Sequence, residues 1–374
     1  MLEVKHRPME ARNLPEAFEK RSVARRYGVV AGLLGALVIG GIALTFGTSP
    51  STVKPGLRYQ PRFPIDTSGF TLVSQMVKPW PPTASLEMIA AAWINVGRHG
   101  IAEIDRYLAE PGELPERKLD ALITKAILHC YEGQSVEAYK SLERARSLAE
   151  ADDRLAEARL FTLIYFQGVA GLRRGEDENC IMCRGESSCI IPLAPAAVHA
   201  NPVGSRLAIK HFSEYLGEFP DDLEVKWLLN LAHMTLGEHP HAVESKYLLS
   251  LEKFTNSEFD IGKFRDIGHL VGIDRFNQSG GAIMEDFDND GLLDIVVTSY
   301  DPTMPMAFYR NKGDGTFEDR TKVAGLDGQL GGLNCVQTDY NNDGLMDIFI
   351  PRGAWMAPHL AMRPSLLRNN GNGT

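Results

Sequence analysis

Two nine-residue acidic runs carry the chain's clearest chemistry: Asp286-Phe-Asp288-Asn-Asp290-Gly291-Leu292-Leu-Asp294 and Asp339-Tyr-Asn341-Asn-Asp343-Gly344-Leu345-Met-Asp347. Both follow D-x-[DN]-x-D-G-x-x-D. Oxygen ligands at alternate positions of a tight turn converge on one hard cation, and glycine at position six permits the bend. Positions one, three, five and nine supply side chains, and position seven, Leu292 or Leu345, would lend its carbonyl. Asp-Gly and Asn-Asp-Gly also close ordinary hairpins. A plain turn, however, gains nothing from a crowd of carboxylates, which repel one another unless neutralised. The pattern predicts about two Ca2+ sites, with affinities in the extracellular range of roughly 10⁻⁴ to 10⁻³ M. An EF-hand would need a bidentate Glu at position twelve, where Val297 and Ile350 stand.

A second cluster places Cys180, Cys183 and Cys189 in the Gly- and Pro-flanked stretch 178–192. In an oxidising compartment a Cys180–Cys189 disulfide is expected, since the intervening loop can meet the geometry of the bond. A zinc site from these three thiols and His199 would be tetrahedral, but it lacks a second cysteine pair at finger spacing and is not expected. Thiol-redox chemistry would want the Cys180–Cys183 pair opening a helix in a βαβ setting. Covalent haem is disfavoured because Arg184, not His, follows Cys183. Cys130 and Cys335 read as buried, inert thiols.

The acidic runs sit in a repeat. Asp286 and Asp339, Phe264 and Phe317, Asp266 and Asp319, and Gly272 and Gly325 are each 53 residues apart. Asn311-Lys-Gly313-Asp-Gly315-Thr316-Phe317 returns 58 residues later as Asn369-Asn-Gly371-Asn-Gly373-Thr374. After each acidic run comes a β-rich stretch, 294–300 or 347–350, so the runs join strands. At these residues the sequence resembles the FG-GAP/VCBS repeats of integrin-α-like propellers, and specifically the bacterial proteins similar to cartilage acidic protein that can end in an ASPIC/UnbV domain. The resemblance covers about the last hundred residues. It implies four-stranded blades with calcium between strands, used for adhesion or partner binding. It places ligands at Asp286, Asp288, Asp290 and Asp294, and at Asp339, Asn341, Asp343 and Asp347, with Asn341 standing where an Asp is usual and weakening the second loop. The stretch from Glu178 to His199 also looks like the N-terminal part of some of these proteins, whose spaced cysteine pair would correspond to Cys180 and Cys189, leaving Cys183 as an extra thiol. A propeller closes with about 4–8 blades, and about two are legible here. The chain stops inside NxGxGT, so a fragment of a longer protein is expected.

These loops need elements to carry them. From about Ser85 to Leu249 the apolar residues fall at helical spacing, as in Leu119, Leu122, Ile123, Ala126 and Ile127, then Ala138, Leu142 and Ala145. Ala126, Ala138, Leu142 and Ala145 resemble tetratricopeptide spacing, and Ala208, Phe212, Tyr215 and Pro220 repeat its second half, although WxxLG is not intact. An irregular helical domain packed by ridges and grooves is the alternative. Upstream, seven prolines between Pro50 and Pro82 suggest an extended spacer. Tyr27–Gly47 is a 21-residue run without charge, enough for a helix spanning about 30 Å of hydrocarbon. Lys20, Arg21, Arg25 and Arg26 precede it and would keep the N-terminus cytoplasmic. This predicts a single-pass bacterial inner-membrane protein with its bulk in the periplasm, or, alternatively, a protein secreted after signal cleavage.

The expected fold class is therefore multidomain: a basic cytoplasmic segment (1–26), one transmembrane helix (27–47), a Pro-rich linker (48–84), an α-helical tetratricopeptide-like domain (85–250), and an incomplete all-β propeller of about two blades (255–374). The net charge of −9 on 374 residues argues against nucleic-acid binding. The expected function is non-enzymatic: calcium-dependent interaction with a protein or glycan ligand beside a membrane. The alternatives are an exported enzyme, either thiol-redox or a metal-assisted hydrolase or lyase, and a purely structural envelope protein.

Overall fold

Three helices of the first half start at a side chain that caps a free backbone amide, and a fourth at a proline that has no amide hydrogen to satisfy. Ser85 caps α2 (Leu86–Trp93) by accepting from the Met88 amide, and Pro115 opens α4 (Pro115–Tyr131), where no amide hydrogen is needed. Asp152 caps α6 (Asp153–Asn179) and Asp222 caps α8 (Leu223–Met234) in the same way. Between them lie α1 (Phe70–Met76), α3 (Val96–Ala109), α5 (Ser135–Glu150) and α7 (Val203–Glu218). This computed structural model describes residues 53–180, 191, 193–252, 258–259, 265–353 and 360–374.

From α3 to α8 each helix packs on the next. The spacing that predicted paired helices marks their contact: Ala126, Ala138, Leu142 and Ala145 on α4 and α5 are fully buried, as are Ala208, Phe212 and Tyr215 on α7. The central helix α6 is enclosed on most faces, burying Leu160, Phe161, Leu163, Ile164 and Phe166. Its crossing with α7 is close because glycines meet there. A Cβ on Gly204 would lie 2.3 Å from the Gly175 nitrogen, and one on Gly168 would lie 2.4 Å from the Phe212 ring.

The Pro-rich stretch does not behave as the expected extended spacer. From residue 53 onward it is strapped to the helices: the Gln60 amide donates to the Glu157 carbonyl at 2.8 Å, and the half-exposed turn gives way to α1. Tyr59 is buried edge-on to Phe161, with ring centroids 5.1 Å apart. Arg62 donates to Asp222 at 2.9 Å and to Glu224 at 2.6 Å while its guanidinium lies over the Tyr165 ring at 4.5 Å. Asp222 thus serves a helix cap and an ion pair together. The prolines confine regular helix in this stretch to the seven residues of α1 and leave the other side chains free to pack.

The second half begins with a one-turn helix, α9 (Gly268–Val271), and continues into two antiparallel sheets. The first has the order β1 (Ser279–Glu285), β2 (Asp294–Ser299), β3 (Ala307–Asn311), β4 (Phe317–Asp319). The second has the order β5 (Val336–Thr338), β6 (Asp347–Ile350), β7 (Ser365–Leu367). Each sheet is a meander whose strands pair with their chain neighbours. The sheets share one apolar cluster, in which Ile283, Val296 and Phe308 of the first meet Ile348 and Ile350 of the second. A separate cluster joins sheet to helices: Leu360 and Met362 pack with Val73, Ile89, Trp93 and Leu128, and the Trp80 indole donates to the Ala361 carbonyl at 2.9 Å.

This corrects the expected fold class. The described chain is a helical layer followed by two small antiparallel sheets, and no helix among the described residues is long and apolar enough to cross a membrane. The expected basic segment and span, 1–26 and 27–47, lie outside the described residues.

Two outcomes follow from the helical core. Gly204→Ala should lower stability by about 3 kcal/mol, because the Cβ meets backbone that cannot swing away; thermal melting would show it, and an unchanged midpoint would mean the α6–α7 crossing is looser. Burial also holds His129, His199, His211, His233 and His239 below the ordinary imidazole value. The unfolded chain then binds more protons than the folded one as pH falls below about 6.5. Melting temperature should therefore drop between about pH 7 and about pH 5.5, with a shallower slope in His211→Gln.

Candidate metal centre

Each acidic run forms the connection into the second strand of a sheet: 286–293 between β1 and β2, and 339–346 between β5 and β6. The bend is made by left-handed residues, Asn289 at φ 56° with Gly291 at 86° in one loop, and Asn342 at 57° with Gly344 at 82° in the other. Glycine and asparagine tolerate that region best.

The two loops are wired alike. Asp286 accepts from the Asp290 amide at 3.0 Å and the Gly291 amide at 2.8 Å, while Asp290 accepts from the Leu292 amide at 3.0 Å. Asp339 accepts from the Asp343 amide at 3.1 Å and the Gly344 amide at 2.9 Å, while Asp343 accepts from the Leu345 amide at 3.0 Å. Beneath each loop lies a buried aspartate. Asp294 accepts from the Phe287 amide at 3.3 Å and the Asn311 amide at 2.8 Å, and Asp347 accepts from the Tyr340 amide at 3.2 Å and the Asn369 amide at 2.7 Å. Burial pushes the Asp294 carboxyl above its ordinary value, with the nearby Asp288 and Asp290 charges adding to the effect and the two amides opposing it.

Of the predicted ligands, the first loop brings Asp286, Asp288 and Asp290 together, each with a carboxylate oxygen within 4.8 Å of the others. These are hard oxygen donors, which suit Ca2+ and not a soft metal. In the second loop Asn341 turns its amide onto Asp343, donating at 2.8 Å. The loops are also adjacent in space. The Asn289 side chain reaches the Gly344 carbonyl at 3.4 Å, and the Asn369 side chain bridges the carbonyls of Phe287 and Met346 at 2.7 and 3.1 Å.

Sequence reasoning missed three participants. Asn311 and Asn369 lie in the NxGxGT turns and close the loops from the next strand. Arg310 forks onto the first loop, with Nε 2.5 Å from Asp288 and Nη2 2.6 Å from Asp290. The one available signal was the Arg-Asn pair preceding each NxGxGT glycine.

Residues 286–350 match the family model described as an FG-GAP-like repeat. These residues form an FG-GAP-like repeat. Such repeats generally serve protein interaction and adhesion, and their family is typically non-enzymatic. No curated protein and no solved structure matches the chain.

The cysteine cluster falls largely outside the described residues, including Cys183 and Cys189 of the expected zinc and disulfide readings. Within them, Cys180 Sγ lies 3.5 Å from His199 Nε2, and Nδ1 of the same ring lies 3.0 Å from Ser205 Oγ. Cys130 and Cys335 are buried, and burial pushes the Cys130 thiol up to about 11, as expected for inert thiols.

The division between buried and outer carboxylates can be tested without metal. Asp294→Ala strands two amides and should cost on the order of 2–4 kcal/mol in chelator, whereas Asp288→Ala should cost under about 1 kcal/mol. Equal losses would mean that Asp294 does not brace the loop.

Proposed function

We propose that the C-terminal sheets are a calcium-stabilised interaction module that engages a protein or glycan ligand and performs no catalysis. The observation that carries this reading is the convergence of Asp286, Asp288 and Asp290 on one point of a loop whose backbone is already braced. Asp294 and the Leu292 carbonyl would complete the set, and Asp339, Asn341, Asp343, Asp347 and the Leu345 carbonyl would form its weaker counterpart. A bound cation would supply charge neutralisation and cross-linking of a loop to its strands. Modest affinity suits an extracytoplasmic setting, where calcium is abundant. The helical layer, docked to the sheets through Trp80, Leu360 and Met362, offers a rigid mount for the interaction face.

One contact favours a second reading, thiol chemistry: the imidazole of His199, oriented by Ser205, stands beside the Cys180 sulfur. An accessible Cys180 with a depressed pKa would support it, and a stable disulfide at this residue would end it.

Calcium added to the metal-free chain should raise its melting temperature, and the Asp290→Ala/Asp343→Ala pair should abolish the rise. A wild-type chain that remains folded and shows no rise at millimolar calcium would reduce both loops to hairpin turns.

A further inference from the structure

The two loops share their backbone wiring but neutralise their carboxylates differently. In the first loop the neutralising group comes from outside, from Arg310 at the end of β3. Its position is not left to chance: the next residue, Asn311, is tied by its amide to buried Asp294 at 2.8 Å and by its side chain to the Leu293 carbonyl at 3.0 Å. The guanidinium is thereby delivered onto Asp288 and Asp290, two of the three carboxylates that converge. Glu318 is Arg310's cross-strand neighbour on β4; Arg310 bonds the loop. In the second loop Arg368 holds the same place before Asn369, yet it approaches only Asp343, at 3.7 Å. The reason is local. Asn341 stands where the first loop has Asp288, and its side-chain amide already occupies Asp343 Oδ2 at 2.8 Å.

We infer that Arg310 is a built-in counter-ion that competes with the cation for the first loop and sets its affinity. The inference rests on the calcium reading above. A cation entering this loop must displace the guanidinium from Asp288 and Asp290 or bind against its charge, so four carboxylates need not make the first site the tighter one. Without the cation, the same arginine relieves the repulsion between Asp288 and Asp290 and keeps the loop in its binding shape. The second loop has one carboxylate fewer, with an amide donating to Asp343 in place of a charge, and is nearly independent of its arginine.

Calorimetric calcium titration of the full chain, stripped of metal, tests this when the loops are separated by mutation. In the Asp343→Ala background, which leaves only the first loop, Arg310→Gln should tighten the calcium Kd on the order of tenfold and lower the metal-free melting temperature. Arg310→Lys keeps the charge but loses the fork and should give a smaller gain, which covers the case in which the glutamine variant folds poorly. In the Asp290→Ala background, Arg368→Gln should change the Kd by less than about threefold. Calcium uptake by the Arg310→Gln variant alone would support the inference in its strongest form. An unchanged or weakened Kd in Arg310→Gln, with uptake by the Asp343→Ala chain still abolished when Asp290→Ala is added, would overturn the competition and leave the calcium reading standing. No uptake by either the wild-type chain or the variant would overturn both.

Discussion

In each sheet a buried aspartate at the head of the second strand accepts one amide from the acidic loop before it and one from the turn that follows the next strand. Asp294 and Asp347 are both almost completely inaccessible to solvent. A buried carboxylate is tolerated only where its lone pairs are met, and here they are met by backbone that no side-chain change can remove. Loop, strand and turn are thereby locked in one register. The outer carboxylates inherit their places from that lock, and so does Arg310, whose neighbour Asn311 is one of the two donors.

The arrangement separates two tasks among residues of one type. Asp294 and Asp347 are buried and each meets two amides, so they brace the fold whether or not a cation adds to their partners. Asp286 and Asp339 are intermediate, using both oxygens to shape the bend while remaining at the surface. Asp288 and Asp290 are exposed and unbonded to backbone through Oδ2, which makes them available to whatever positive group arrives. In the present structure that group is a guanidinium. The contacts between Asn289 and Gly344 and through Asn369 make the two loops neighbours.

The helical layer belongs to the same account because the sheets do not stand apart from it. Residues 54–63 lie against α6 and the start of α8, pinned there by Tyr59 and Arg62, and the stretch that follows presents Val73 and Trp80 to the residues before β7. The Phe70 ring stacks on Trp93 and tilts against Tyr300 at the end of β2, with centroids 5.9 and 5.2 Å apart. A segment rich in proline cannot extend a helix, yet it loses little conformational entropy when packed, because its unfolded state is already restricted.

The amino-acid sequence by itself determined what is local. The helices between about 85 and 249 followed from apolar spacing, the second strand of each sheet from the β-rich run after each Asp-Gly turn, and the ligand types from the alternation of Asp and Asn. The 53-residue repeat identified two equivalent loops. What the sequence left open is what depends on groups distant in the chain. The Pro-rich stretch read as a spacer because its partners, Phe161 and Asp222, lie about a hundred or more residues away. Asp294 read as a fourth ligand equal to the others, since nothing in the run D-x-D-x-D-G-x-x-D reveals that Phe287 and Asn311 enclose it. Arg310 was given no role, for a charge becomes a counter-ion only when antiparallel pairing of β2 and β3 brings it across to Asp288 and Asp290. Spacing along the chain fixes which groups can act together locally, and only tertiary packing decides which charges are buried, which are paired and which face the solvent.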